Sequence, residues 1–180
     1  LFFGHIKSYK GLDLLLDAFG SIHARTGAHL VVAGAIHPSA RSHIEALLSM
    51  MSRVDYITYR PGLVPDADVP HVFCAADVVA LPYRRPASSG VLQIAAHYGR
   101  PVVAPRFDAF RETVLEDEVG ILFEAHNPAD LAQAVVRALD LSPENVAQAL
   151  ENYRSESSWV TFVDPWLRFV KSRISPRSVT

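Results

Sequence analysis

Cysteine is almost missing from this sequence. Cys74 stands alone, so no internal disulfide can form, which fits a reducing compartment. Metal-ligand spacings are missing too. The eight histidines (His5, His23, His29, His37, His43, His71, His97 and His126) are scattered, with no HxH or HExxH pair, and Cys74 has no CxxC partner. No apolar run reaches the ~20 residues that span a bilayer. No Lys/Arg cluster forms a polybasic membrane anchor or a nucleic-acid footprint, and the net charge is only −2 with both signs mixed. The first helix is not opened by G-x-G-x-x-G, which counts against NAD or FAD, and a P-loop is absent. There is no internal repeat and no low-complexity tract.

What is present is an ordinary globular composition: 180 residues, 49% apolar and 20% charged. That length suggests one domain, burying roughly 70% of its unfolded surface. Short β-rich runs alternate with helical patterns. Strands are expected at residues 1–3, 29–33, 54–59, 78–81, 101–104 and 120–123. Several are continuously apolar, as parallel strands covered on both faces should be. Helices are expected at 12–25, 40–51, 69–75, 89–98, 110–115, 128–139, 143–153 and 159–173. Six alternating strands predict an α/β fold, a Rossmann-like doubly wound parallel sheet flanked by helices, with a helical C-terminal segment. Asn127-Pro128 and Ser142-Pro143-Glu144 carry cap and first-turn signals. Trp159, Phe162, Trp166 and Phe169 recur at helical spacing, with Pro165 expected to kink that helix and residues 175–180 expected to fray. This aromatic face suits either its own sheet or a further domain. Leu1 opens inside a strand-like segment with no basic stretch before it, so the expectation is a domain cut from a longer protein, without a signal peptide.

Two segments point to chemistry. Gly4-His5-Ile6-Lys7-Ser8-Tyr9-Lys10-Gly11 follows the first strand, where open α/β sheets bind ligands. Its glycines let backbone approach a ligand, and its lysines bring positive charge. Ser88-Ser89-Gly90-Val91 follows the apolar run Asp77-Val78-Val79-Ala80-Leu81-Pro82 and opens a helix, where N–H groups can face a phosphate. Each alone also suits a solvated loop or a plain helix cap. Arg84 and Arg85 lie nearby, at least one expected in solvent. Together the loops suggest a diphosphate held between a cation and a helix N-terminus, as a nucleotide-sugar site requires.

The residues resemble the C-terminal, donor-binding domain of GT-B glycosyltransferases, the large family 4 group, over nearly the whole chain. Gly4 to Gly11 is similar to its G-R-x-x-x-x-K-G opening, and Gly62-Leu63-Val64-Pro65-Asp66 to its G-x-V-P segment. Asp77 to Pro82 resembles A-D-V-x-x-x-P, and Gly99-Arg100-Pro101-Val102-Val103-Ala104 resembles G-x-P-V-V-A. Arg111-Glu112-Thr113-Val114 followed by Gly120 resembles P-E-x-V…G, and Ser158-Trp159 the start of the closing helix.

The resemblance implies a glycosyltransferase of retaining, hexosyl-transferring type. Lys10 would pair with the donor diphosphate, and Lys7 would supply the charge that the family's arginine carries where this chain has His5. Gly4, His5, Gly11, Ser88, Ser89, Gly90 and Val91 would line the phosphates. Arg60, Gly62 and Leu63 would lie against the base. The donor would be a nucleotide-diphosphate sugar, held with no metal or other cofactor. The partners implied are an N-terminal domain of the same chain and an acceptor glycan or lipid-linked sugar, with no nucleic acid. The place implied is the cytoplasm, or the inner membrane face through that missing domain; the isolated domain would be inactive. One departure matters: the family's two spaced glutamates fall at Pro86 and Ile94, which cannot accept bonds from sugar or ribose hydroxyls. A non-catalytic interaction module with a degenerate site is therefore the alternative. A GT-B sugar-nucleotide epimerase is a third reading, less well matched by these segments.

Overall fold

The computed structural model describes residues 1–111, 114 and 118–156. Its strands are β1 (Phe2–Phe3), β2 (Leu30–Gly34), β3 (Ile57–Pro61), β4 (Val79–Ala80), β5 (Val102–Pro105) and β6 (Gly120–Phe123). Its helices are α1 (Leu12–Thr26), α2 (Arg41–Met51), α3 (Val69–Cys74), α4 (Gly90–His97), α5 (Asp108–Arg111), α6 (Pro128–Leu139) and α7 (Pro143–Glu156). All strand pairs are parallel, in two three-stranded sheets ordered β1-β2-β3 and β4-β5-β6. Leu1 joins them: its amine donates to the Val78 carbonyl at 2.7 Å, and Ala80 N–H donates to the Leu1 carbonyl at 2.8 Å. The strands therefore run in the order 3-2-1-4-5-6, with the direction of winding reversing between β1 and β4.

Side-chain alternation sorts the core onto two faces. Phe2, Val32, Ala80, Val103, Ile121 and Phe123 pack under α1, α2 and α6. Val79, Leu81, Val102, Ala104 and Leu122 pack on the opposite face, with Phe73 of α3, Ala95 of α4 and Phe110 of α5. Strands covered on both sides must be apolar on both sides, and β5 and β6 are buried at every position. A smaller cluster of Val119, Val146, Ala149 and Leu150 seats α7.

Strand β6 and helix α6 lie at their expected bounds. Strand β3 differs most: residues 52–56 form turns, and pairing starts only at Ile57. Tyr56 still accepts Leu30 N–H of β2 at 2.8 Å through its carbonyl, and its ring stacks on His23 of α1 at 4.1 Å. The segment 8–10, within the loop that follows the first strand, is a turn of 3₁₀ helix closed by Lys10 N–H to the Lys7 carbonyl. Helix α5 begins at Asp108, two residues before the expected 110, and residues 112, 113 and 115 of that expected helix lie outside the described ones. The expected helix at 159–173, its aromatic face and the tail at 175–180 also lie outside them.

Candidate functional site at the switch between β1 and β4

Loops leaving β1 and β4 meet because the backbone at Gly11 permits it. Gly11 has φ +69 and ends the 3₁₀ turn as α1 begins. A Cβ there would collide with the Pro82 carbonyl oxygen, so only glycine lets the two loops touch. The contact is then fastened. Arg84 N–H donates to the Tyr9 carbonyl at 2.7 Å. The Arg84 guanidinium forks onto Asp13, with Nη2 to Oδ2 at 2.6 Å and Nε to Oδ1 at 3.3 Å. Arg85 lies over the Tyr9 ring, 4.8 Å from its centre. Arg85 is exposed, as expected for at least one of the two arginines, while Arg84 is half-buried against Asp13 of α1.

Lys10 folds back into this junction. Its Nζ lies 3.3 Å from where a Cβ on Gly4 would stand, and Val91 Cγ2 lies 3.7 Å from the same point. Gly4, Lys10 and Val91, separated by up to 87 residues in sequence, thus meet in space. The ammonium sits over the Tyr83 ring at 5.8 Å. Burial, and then the nearby Lys7, push the Lys10 pKa below its ordinary value. A cation that is partly desolvated and beside a second cation gains from a bound anion.

Helix α4 completes the junction. Ser89 is its N-cap, with an extended backbone and an Oγ that accepts Leu92 N–H at 3.3 Å. Gly90 and Val91 open the first turn, whose N–H groups have no partner within the helix. Ser88 and Gly90 are exposed and Ser89 is half-buried. The structure therefore brings together Gly4, Lys10, Gly11, Ser89, Gly90 and Val91. Lys7 is half-buried next to Lys10, and His5 is exposed at the start of the same loop. Of the two substituted positions, Pro86 is exposed and Ile94 packs against the hydrophobic core of its sheet face.

The β3 residues lie apart. Arg60 sits within the strand, paired with Ala33, not in the loop beyond it. It lines a cavity of about 940 Å³ that reaches Leu1, His29, Asp77 and Leu139, toward the amino ends of the strands. Gly62 lines a second cavity, about 390 Å³, with Ile36, Glu45 and Tyr59 beside the carboxyl ends of β2 and β3. Leu63 is 71% exposed beside it. None of the convergent loop residues lines the large cavity, and size alone assigns it no chemistry. Sequence reasoning missed Tyr9, Asp13 and Tyr83; the Pro-Tyr-Arg run directly off β4 was the available signal.

Among the described residues, no three His, Cys, Asp or Glu side chains gather as metal ligands, and no helix is long and apolar enough to cross a membrane.

The sequence and fold have known counterparts. A D-inositol 3-phosphate glycosyltransferase of Mycolicibacterium smegmatis is 27% identical over 169 residues, covering 92% of this chain and 38% of that protein. A GDP-mannose:glycolipid 4-beta-D-mannosyltransferase of Xanthomonas campestris is 26% identical over 163 residues, covering 88% of this chain and 44% of that protein. The chain thus spans less than half the length of these relatives. The fold is shared with Anabaena HepE, crystallised in complex with UDP, at TM-score 0.76 and 19% identity over 95% of this chain and 48% of that one. It is also shared with the C-terminal domain of a glycosyl transferase group 1 family protein, LpcC, from Francisella tularensis, at TM-score 0.72 and 17% identity over 84% of this chain and 83% of that one. Residues 1–141 match the family described as glycosyl transferases group 1, and the chain belongs to that family.

Proposed function

We propose that this chain is the donor-binding domain of a glycosyltransferase that uses a nucleotide-diphosphate sugar. The observation that carries this reading is the convergence of Lys10, Gly4 and the α4 N-terminus at the switch between β1 and β4. When the bond from sugar to diphosphate breaks, negative charge grows on the leaving phosphate. Lys10, supported by Lys7, and the N–H groups of Gly90 and Val91 are placed to stabilise that charge without a metal. The base is assigned to the cavity beside Gly62 and Leu63 at the ends of β2 and β3. The Xanthomonas relative's name specifies GDP-mannose, and HepE was crystallised with UDP. Both are nucleoside diphosphates or their sugars, the ligand chemistry that this site suits.

The acceptor, a glycan or lipid-linked sugar, is assigned to a second domain, and the described domain alone is expected to bind donor without transferring sugar. Retention of the anomeric configuration and a cytoplasmic place, at the membrane's inner face where that second domain docks, complete the reading. Product NMR and cell fractionation test those two points.

Calorimetric titration with UDP-, GDP- and ADP-sugars, with and without magnesium, tests the central one. The expected result is metal-independent binding of one nucleotide. Lys10→Ala should weaken diphosphate binding about tenfold or more while leaving nucleoside binding unchanged. Equal weakening of both would remove Lys10 from the diphosphate site.

A second reading, a non-catalytic module, is favoured by Pro86 and Ile94, since an apolar residue turned into the core cannot hold a sugar hydroxyl. A folded protein that binds none of these donors supports it.

A further inference from the structure

Tyr83 has no task in the donor-site reading, although it meets both Lys10 and Ser89. It leaves β4 directly after Pro82 and is 3% exposed. Tyr9 and Phe110 meet its ring edge-on, at 5.8 and 5.6 Å between centres, and fix its plane. One face receives the Lys10 ammonium. Its hydroxyl stands 3.0 Å from Ser89 Oγ, the same oxygen that caps α4 by accepting Leu92 N–H.

A serine hydroxyl has two lone pairs and one proton. Leu92 N–H takes one lone pair. Burial pushes the Tyr83 phenol above its ordinary value, with the Ser89 bond pulling the other way, so the phenol keeps its proton in neutral solution. A phenol that donates to Ser89 fills the second lone pair. The serine's own proton is then left for an acceptor outside the pair, at the N-terminus of α4 that Ser89 caps.

We propose that Tyr83 is a positioning residue of the donor site: its phenol turns the Ser89 hydroxyl into a hydrogen-bond donor toward the diphosphate, and its ring seats the Lys10 ammonium. This rests on the donor-site reading and adds a residue to it. Ser89 is then more than a helix cap. It contributes a directed O–H beside the backbone N–H groups, and Tyr83 sets that direction without touching substrate.

The test is calorimetric titration with inorganic pyrophosphate of the wild type, Tyr83→Phe, Ser89→Gly and the double variant, with melting curves alongside. Phenylalanine keeps the ring, and glycine is tolerated at an N-cap. Tyr83→Phe is expected to bind pyrophosphate about tenfold more weakly. Ser89→Gly should lose at least as much, and the double variant no more than Ser89→Gly, because the phenol acts through the serine. A merely structural phenol would shift melting and leave no such coupling. Wild-type affinity in Tyr83→Phe, or losses that add, overturns the proposal. Should Tyr83→Phe fail to fold, unchanged affinity in Ser89→Gly overturns it equally. Lys10→Ala separates the two readings. Weak binding there with full affinity in Tyr83→Phe defeats only the role of Tyr83, and a wild type that binds no pyrophosphate defeats both.

Discussion

Lys10 shows how a single residue's surroundings set its chemistry. Held below its ordinary pKa by burial and by Lys7, it is fully charged in the free protein only at pH values below that lowered pKa. A bound diphosphate favours the charged form. Affinity should therefore be complete at lower pH and should fall as pH rises through the lowered pKa, where binding must first take up a proton. Lys10→Arg keeps its charge throughout, so the wild type's affinity should fall relative to that of Lys10→Arg over the same range, the ionisation of pyrophosphate being common to both. Pyrophosphate titrations from about pH 7 to about pH 10 check this; parallel slopes in both proteins would show that another group titrates. Lys10 itself was legible in the sequence as the lysine of a glycine-bounded loop after a strand. Its neighbours were not. Tyr83 and Asp13 act through contacts across more than seventy residues, which no local pattern encodes.

Helices α4 and α6 show how much of an element is written locally. Asn127 caps α6 by accepting the N–H groups of Ala129 and Asp130, both at 3.1 Å, and Pro128 fills the first turn. Replacing Asn127 with Ala should cost about 1 kcal/mol of stability, measured by chemical denaturation, with no effect on pyrophosphate binding. An unchanged denaturation midpoint would mean that solvent replaces the cap fully. These signals lie within four residues, and the bounds of α6 were accordingly read without error. Strand β3 lacks such punctuation, and its start is set by which residues pair with β2. The ion pair of Asp13 and Arg84 belongs to this scale too. Its side chains are 23% and 37% exposed, so it should contribute under about 1 kcal/mol, serving to hold two loops in register more than to stabilise the fold.

At the scale of the whole molecule, stability rests on the two apolar faces of one sheet. Leu15 on α1 is 1% exposed within the face shared with α6. Leu15→Ala should destabilise the protein by about 2–5 kcal/mol through lost burial and a cavity, read from denaturation midpoints. A loss under about 1 kcal/mol would show that this face collapses to fill the space. Runs such as Gly120–Phe123 and Val102–Pro105, buried at every position, made the two-sided sheet legible from composition along the chain. Alternation of strand and helix then restricted the fold to a wound α/β sheet. What the sequence alone determined was therefore the element types, the fold class and the two loops that carry charge and glycine, because periodicity and capping are local and the physics behind them is short-ranged. What only the tertiary structure decided was the strand order 3-2-1-4-5-6 and everything that follows from it. That order sets β1 beside β4, and so brings Lys10, Tyr83 and Ser89 into one site. It depends on Leu1 pairing with Val78 and Ala80 across the middle of the sheet, a contact between residues 77 or more apart.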